Sequence, residues 1–132
     1  MPTAGRIFIV IGALGLMLAN QLGAYGIHGL EAKVSAAEMR SWEWAVQIQY
    51  YHSAGLILIA LLLKPARQSR LLAIAGGLMI LGQLLFSGSI YARVLGAPAL
   101  IGQVAPMGGG SLMLAWLLTA IAGFRMRPTS SL

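Results

Sequence analysis

Four stretches of this chain run through apolar residues with almost no interruption, and short polar segments separate them. Residues 7–30, 44–63, 71–92 and 107–124 contain no Asp, Glu, Lys or Arg. About 20 apolar residues cross a bilayer as a helix. The pattern therefore predicts four transmembrane helices, spanning about 7–28, 44–63, 71–92 and 107–124, in one domain covering 1–132.

The second stretch is the most structured. Glu38, Trp42, Ala45, Gln49, His52 and Leu56 recur at steps of three and four, which keeps them on one helix face. Ser35 and Glu38 fit a capping box, in which each side chain satisfies a free N–H group of the other residue at a helix start. A helix from Ser35 to Leu63 is longer than a bilayer needs. Its first turns should form an amphipathic extension at the outer interface, where Trp42, Trp44, Tyr50 and Tyr51 read as an aromatic belt. The basic segment 64–70, with Pro65, ends the span as a tight turn. Segment 93–103, with its Gly and Pro, reads as a loop, Pro106 suits the first turn of the last helix, and 129–132 is a tail. Short connections make antiparallel neighbours. The expected fold class is all-α: a polytopic membrane protein with an antiparallel bundle of four transmembrane helices.

Composition supports a membrane setting. The chain is 58% hydrophobic and 9% charged, with mean hydropathy +0.81, whereas soluble domains carry about 25% charged residues. The net charge of +6 does not form a basic helix face, so nucleic acid is not an expected partner. Arg6, Lys64, Arg67, Arg70, Arg125 and Arg127 fall at one end of the bundle, and Lys33, Arg40 and Arg93 at the other. The positive-inside rule then puts both termini and Gln68 in the cytoplasm and Ser35 outside. Cys is absent, which excludes disulfides and thiolate chemistry.

Small residues mark the first span. Gly5, Gly12, Ala19, Gly23 and Gly26 share a face, and Gly15, Ala19 and Gly23 form a small-xxx-small row. Gly12, Gly15, Ala19 and Gly23 are the expected helix-packing positions, within the monomer or across a dimer.

Four motifs carry a family resemblance. They are Gly23-Ala-Tyr-Gly-Ile-His-Gly-Leu30, Trp44…Tyr51-His52, Phe86-Ser-Gly-Ser-Ile-Tyr91 and Pro106-Met-Gly-Gly109…Trp116. In this order they resemble the YgdD-like family of small four-helix bacterial inner-membrane proteins, which has mitochondrial inner-membrane relatives. Tyr25 replaces the more usual Phe of the first motif. The resemblance implies a four-helix membrane fold in a bacterial plasma membrane. It implies no activity, so no catalytic residue is assigned.

The candidate chemistry is sparse. His52 is an ionisable side chain within a span, which marks a functional hypothesis or a register-fixing hydrogen bond. Gln49 and His52 fall on one face of their helix, and Gln83, Ser87 and Tyr91 on one face of theirs. A hairpin through 64–70 brings them to similar depths. Gln49, His52, Gln83, Ser87 and Tyr91 are therefore the expected ligand-binding residues of an outward-side polar pocket between the second and third helices. His28 and His52 could ligate a metal or haem only if they converged, and further ligands are missing, so neither metal nor cofactor is expected. Glu31, Glu38 and Glu43 read as solvated charges. Gly108-Gly-Gly110 lacks the Lys-Ser/Thr of a phosphate loop, and is expected either to allow close backbone approach or to expose N–H groups to an anion such as a lipid head group. The expected function is a binding or accessory protein for a lipid, a hydrophobic small molecule or a larger membrane complex. Its expected partners are membrane lipids and a homo-oligomer or larger assembly. The alternatives are an oligomeric small-solute transporter and a membrane enzyme using His52.

Overall fold

The computed structural model describes residues 2–64 and 69–128. Most of the basic turn at 64–70, including Arg67 and Gln68, and the tail at 129–132 lie outside the described residues.

Helix α1 runs over Thr3–Tyr25 and continues through one π-helical turn, Gly26–Leu30. Helix α2 spans Ala36–Leu63 and starts on the expected capping box. There the Glu38 N–H donates to Ser35 Oγ at 3.1 Å, and the Ser35 N–H donates to Glu38 Oε1 at 3.3 Å. Helix α3 covers Ser69–Gln83, a second π turn covers Leu84–Gly88, and α4 completes the span over Ser89–Val94. The segment expected to be a loop is more ordered than that. After a glycine turn at Gly96, whose φ is +111°, a 3₁₀ helix forms over Ala99–Val104 and leads into α5, Ala105–Arg125, with Pro106 in its first turn. No strand occurs among the described residues, and four helical stretches are long and apolar enough to cross a membrane.

The helices alternate in direction. α1 packs on α2, α2 on α3, and α3 on α5, so α2 and α3 are central while α1 and α5 lie at the edges. Burial follows this order: half of the most apolar window of α2 is buried, against 17% for α1 and for the last span. One core cluster, around Leu56, Ile59, Leu72 and Met79, fills the end that carries the termini. A second, around Ala19, Leu30, Trp42 and Val46, fills the opposite end. Such dense contact matters because lipid is as apolar as the side chains, and association rests on close packing and hydrogen bonds.

Small residues set the closest approaches. A Cβ on Gly12 would stand 2.6 Å from the Ser53 carbonyl oxygen, and one on Gly15 would collide with Ser53 Oγ. Ala19 is 0% exposed, whereas Met17, off the row, is 63% exposed. Gly23 is less confined, since a Cβ there would meet Val46 only at ordinary contact distance, 3.6 Å. On the other side of the bundle, a Cβ on Gly108 would collide with the backbone of Phe86 and Gly82, so α5 and the second π turn touch backbone to backbone. Of the glycine triplet, Gly108 alone serves close approach; a Cβ on Gly109 would make ordinary contact with Phe86 and one on Gly110 would meet open space.

The aromatic belt needs one correction. Trp44 and Tyr51 are exposed as a belt requires, but Trp42 is 1% exposed and belongs to the core. Its indole N–H donates to the Leu22 carbonyl at 2.9 Å, and its ring packs on Tyr25 and Tyr91. Trp42 lies three residues after the buried Met39 and three before the buried Ala45, which places it on the inner face, while Trp44 lies two residues further round.

Candidate functional site

A lateral groove of about 310 Å³ lies between α1 and the α3–α4 span, with α2 as its floor. Ile11, Leu14 and Leu18 of α1 form one wall, and Ile80 and Leu84 form the other. Leu14, Leu18 and Leu84 are exposed, so in a membrane the groove opens sideways into lipid. Gln49, Ser53, Gln83, Ser87 and Tyr91 lie along the floor, but most of their polar atoms are turned into hydrogen bonds and the exposed surface of the groove is largely apolar. None of its lining residues is charged.

The floor is a hydrogen-bonded ladder that ties α1, α2 and the α3–α4 span together. Gln49 Nε2 donates to the Gly15 carbonyl of α1 at 2.9 Å, and Tyr91 Oη donates to Gln49 Oε1 at 2.8 Å. Ser53 Oγ donates to Gln83 Oε1 at 2.9 Å, while Gln83 Nε2 donates back to the Met79 carbonyl at 3.3 Å. Ser87 Oγ donates to the Ala45 carbonyl at 2.7 Å. Such bonds are needed, because a polar group buried without a partner is costly and hydrocarbon offers none. No buried side-chain nitrogen or oxygen among the described residues is left without a partner.

Gln49, Gln83, Ser87 and Tyr91 therefore come together as expected, in a groove that α1 also walls. His52 does not join them. It turns away from the groove toward α5, where Trp116 Nε1 donates to His52 Nε2 at 2.9 Å. An indole N–H can only donate, so Nε2 must be the acceptor and the imidazole proton sits on Nδ1. Nδ1 lies 2.7 Å from the Ile48 carbonyl, which accepts it. Both ring nitrogens of a neutral His52 are thus engaged. The physical reason is helix geometry. From Gln49, a step of three goes about 60° one way and a step of four about 40° the other. Ser53, at the four-residue step, is the residue that faces the groove, and sequence reasoning missed it. Its signal was the same i, i+4 spacing from Gln49, overshadowed by the neighbouring imidazole.

The remaining candidates scatter. His28 is exposed on the first π turn, while His52 is buried against α5, so the two imidazoles do not converge. No group of three or more His, Cys, Asp or Glu among the described residues could hold a metal ion. His52 is also separated from Gln49 and Tyr91, which bond to each other on the groove side while the imidazole bonds to Trp116.

The two π turns lie differently with respect to the ladder. The first follows Leu22, whose carbonyl accepts from Trp42, and the second carries Ser87. Single π turns inside helices are rare and concentrate at functional sites.

Comparison with known proteins agrees with this architecture. Residues 22–109 match the family described as "Protein of unknown function (DUF423)", a segment that includes Gln49, Ser53, Gln83, Ser87 and Tyr91. The chain is 34% identical over 120 residues to the UPF0382 membrane protein YwdK of Bacillus subtilis, covering 91% of this chain and 98% of that protein. It is 39% identical over 120 residues to a UPF0382 membrane protein of Staphylococcus haemolyticus, covering 91% and 97%. A UPF0382 membrane protein of Staphylococcus epidermidis is 39% identical over 117 residues, covering 89% and 94%. No solved structure matches the chain significantly. Four membrane-length helices and relatives matched over nearly their whole length make this chain a multi-pass membrane protein of the DUF423 (UPF0382) family.

Proposed function

We propose that this protein is a small membrane binding protein that holds an amphiphilic molecule in its lateral groove. The observation that carries the reading is the groove itself: a largely apolar cleft open to lipid, with a few uncharged polar side chains along its floor. A purely structural polar cluster would not need an opening on its lipid side. Ligand sites are typically apolar clefts of about 300–1,000 Å³ with a few placed polar groups, and the groove falls at the small end of that range. A membrane lipid or other bilayer-resident molecule is the natural occupant.

A plug tests this. Leu84 lines the groove mouth and is 66% exposed, so Leu84→Trp should fill the opening with little effect on folding. Mass spectrometry of molecules retained by the purified protein should show at least one companion in the wild type that Leu84→Trp loses. An identical set of companions in both proteins would remove the groove as a binding site.

The proposal includes a location: a bacterial plasma membrane, as in the YgdD-like proteins with their mitochondrial relatives, with both termini in the cytoplasm. The six-to-three distribution of cations supports this orientation. With no native Cys, single Cys residues at Ser35 and Gln68 give clean probes. An impermeant thiol reagent applied to intact cells should label the first and not the second; the opposite pattern would invert the topology.

A further inference from the structure

Resting on the groove reading, we infer that its ligand is a neutral, carbonyl-bearing lipid of the bilayer interior, an isoprenoid-type quinone, with its carbonyl oxygens facing the amides of Gln49 and Gln83.

The argument starts from unused hydrogen-bonding capacity. The hydroxyl protons of Ser53, Ser87 and Tyr91 are all donated within the ladder. Each glutamine amide nitrogen carries two protons, and each makes one hydrogen bond among the described residues. The donors left over are therefore one N–H on Gln49 and one on Gln83. Hydroxyl lone pairs also remain, but an orphaned N–H is the rarer and less tolerated state. A molecule presenting acceptors, and carbonyl oxygens above all, completes the floor.

Charge and depth narrow the class. No charged residue lines the groove, so nothing there balances a phosphate or an ammonium. Ser53 lies ten residues before the end of α2 at Leu63, which places it about 15 Å from that end. The hydrocarbon layer is about 30 Å thick, so the Ser53–Gln83 pair sits near its middle. From there the ladder climbs through Gln49 and Ser87 to Tyr91. A phospholipid carries its charged head and its ester carbonyls at the interface, far from this pair. A quinone head is neutral, bears only acceptors and can reside among acyl chains. Its isoprenoid tail would leave between Leu14 and Leu84, where the groove opens to lipid. The inference concerns binding, and no electron transfer is assigned.

The test measures binding to the full-length protein in detergent micelles by equilibrium dialysis. The probes are a short-tailed benzoquinone, the matching quinol, and an alkylbenzene of equal length. The quinone should bind most tightly, with the quinol about two- to tenfold weaker, the range set by one net hydrogen bond. Gln83→Leu and Gln49→Leu should each weaken quinone binding by a similar factor and leave the alkylbenzene unchanged. If either variant fails to fold, the quinone–quinol contrast on the wild type decides. Equal affinity for all three probes would overturn the carbonyl assignment while leaving the groove as an apolar site. Preference for ester over ether phospholipids, without quinone binding, would transfer the site to phospholipid and also overturn it. Failure of every probe, together with unchanged companions in Leu84→Trp, would end the groove reading as well.

Discussion

His52 and Ser53 are neighbours in sequence, both buried, both polar, and they point about 100° apart around α2, toward different neighbours. On the Ser53 side the helix floors an open groove, and among the described residues the Gln49 and Gln83 amide nitrogens each make one hydrogen bond. On the His52 side the packing is closed. Trp116 covers the imidazole, and Gly55, one helical turn on, lets the same indole lie against the backbone. One side is saturated and the other is not. The comparison teaches that polarity within a span does not identify a binding site; unfilled space beside unspent donors does.

The contrast can be broken most severely at Gly55. A Cβ there would already stand 3.1 Å from Met79 Sδ and 3.2 Å from the Trp116 ring. Gly55→Leu should therefore lower stability by about 1–3 kcal/mol or more, because overpacking in a closed site has nowhere to go. Leu14→Phe, on the groove wall, should change stability little. Thermal midpoints in detergent measure both, and equal losses would show that the groove side is as tightly packed as the other.

His52→Leu should have the next largest effect. It removes the acceptor of the Trp116 N–H, and a buried donor left unpaired costs about 1–3 kcal/mol. Molecules retained by the wild type should stay bound, since His52 lies off the groove. Loss of those molecules from a folded His52→Leu protein would join the two sides into one site.

Ser53→Ala should show the smallest change in stability, about 1 kcal/mol or less for one hydrogen bond. It frees the Gln83 carbonyl oxygen to face the groove. The expected signature is an altered set of retained molecules with a nearly unchanged thermal midpoint. If the midpoint moves and the retained molecules do not, the ladder is structural glue only.

Much of this molecule was legible in its sequence. Uncharged runs of bilayer length gave the four helices, and the Ser35–Glu38 capping box marked the start of α2 to the residue. Steps of four drew Gln83, Ser87 and Tyr91 onto one face. What escaped was the rotational detail that decides partners. Gln49 and His52 share a broad face by counting, yet a central helix has neighbours on several sides, and about 60° is enough to change neighbour. The role of α1 as a groove wall was also hidden. Its Leu14 and Leu18 look like ordinary lipid-facing residues, and only the divergence of α1 from the α3–α4 span makes them line a space.

The second π turn has a consequence for how this chain tolerates length change. In an α-helix, residues four apart drift by about 40° per step, so Gln83, Ser87 and Tyr91 would fan out across the surface. A wider turn at Leu84–Gly88 absorbs an additional residue and holds the three in line above α2. Excising one residue from that turn would restore an ordinary helix, an easy change for the backbone. Because the wider turn had taken up that residue's rotation, everything beyond it would keep its direction, and Tyr91 would stay within reach of Gln49. Loss of one residue here should thus leave both the helix and the Tyr91–Gln49 rung in place, whereas the same loss from an ordinary turn of the span would rotate everything beyond it by about 100°.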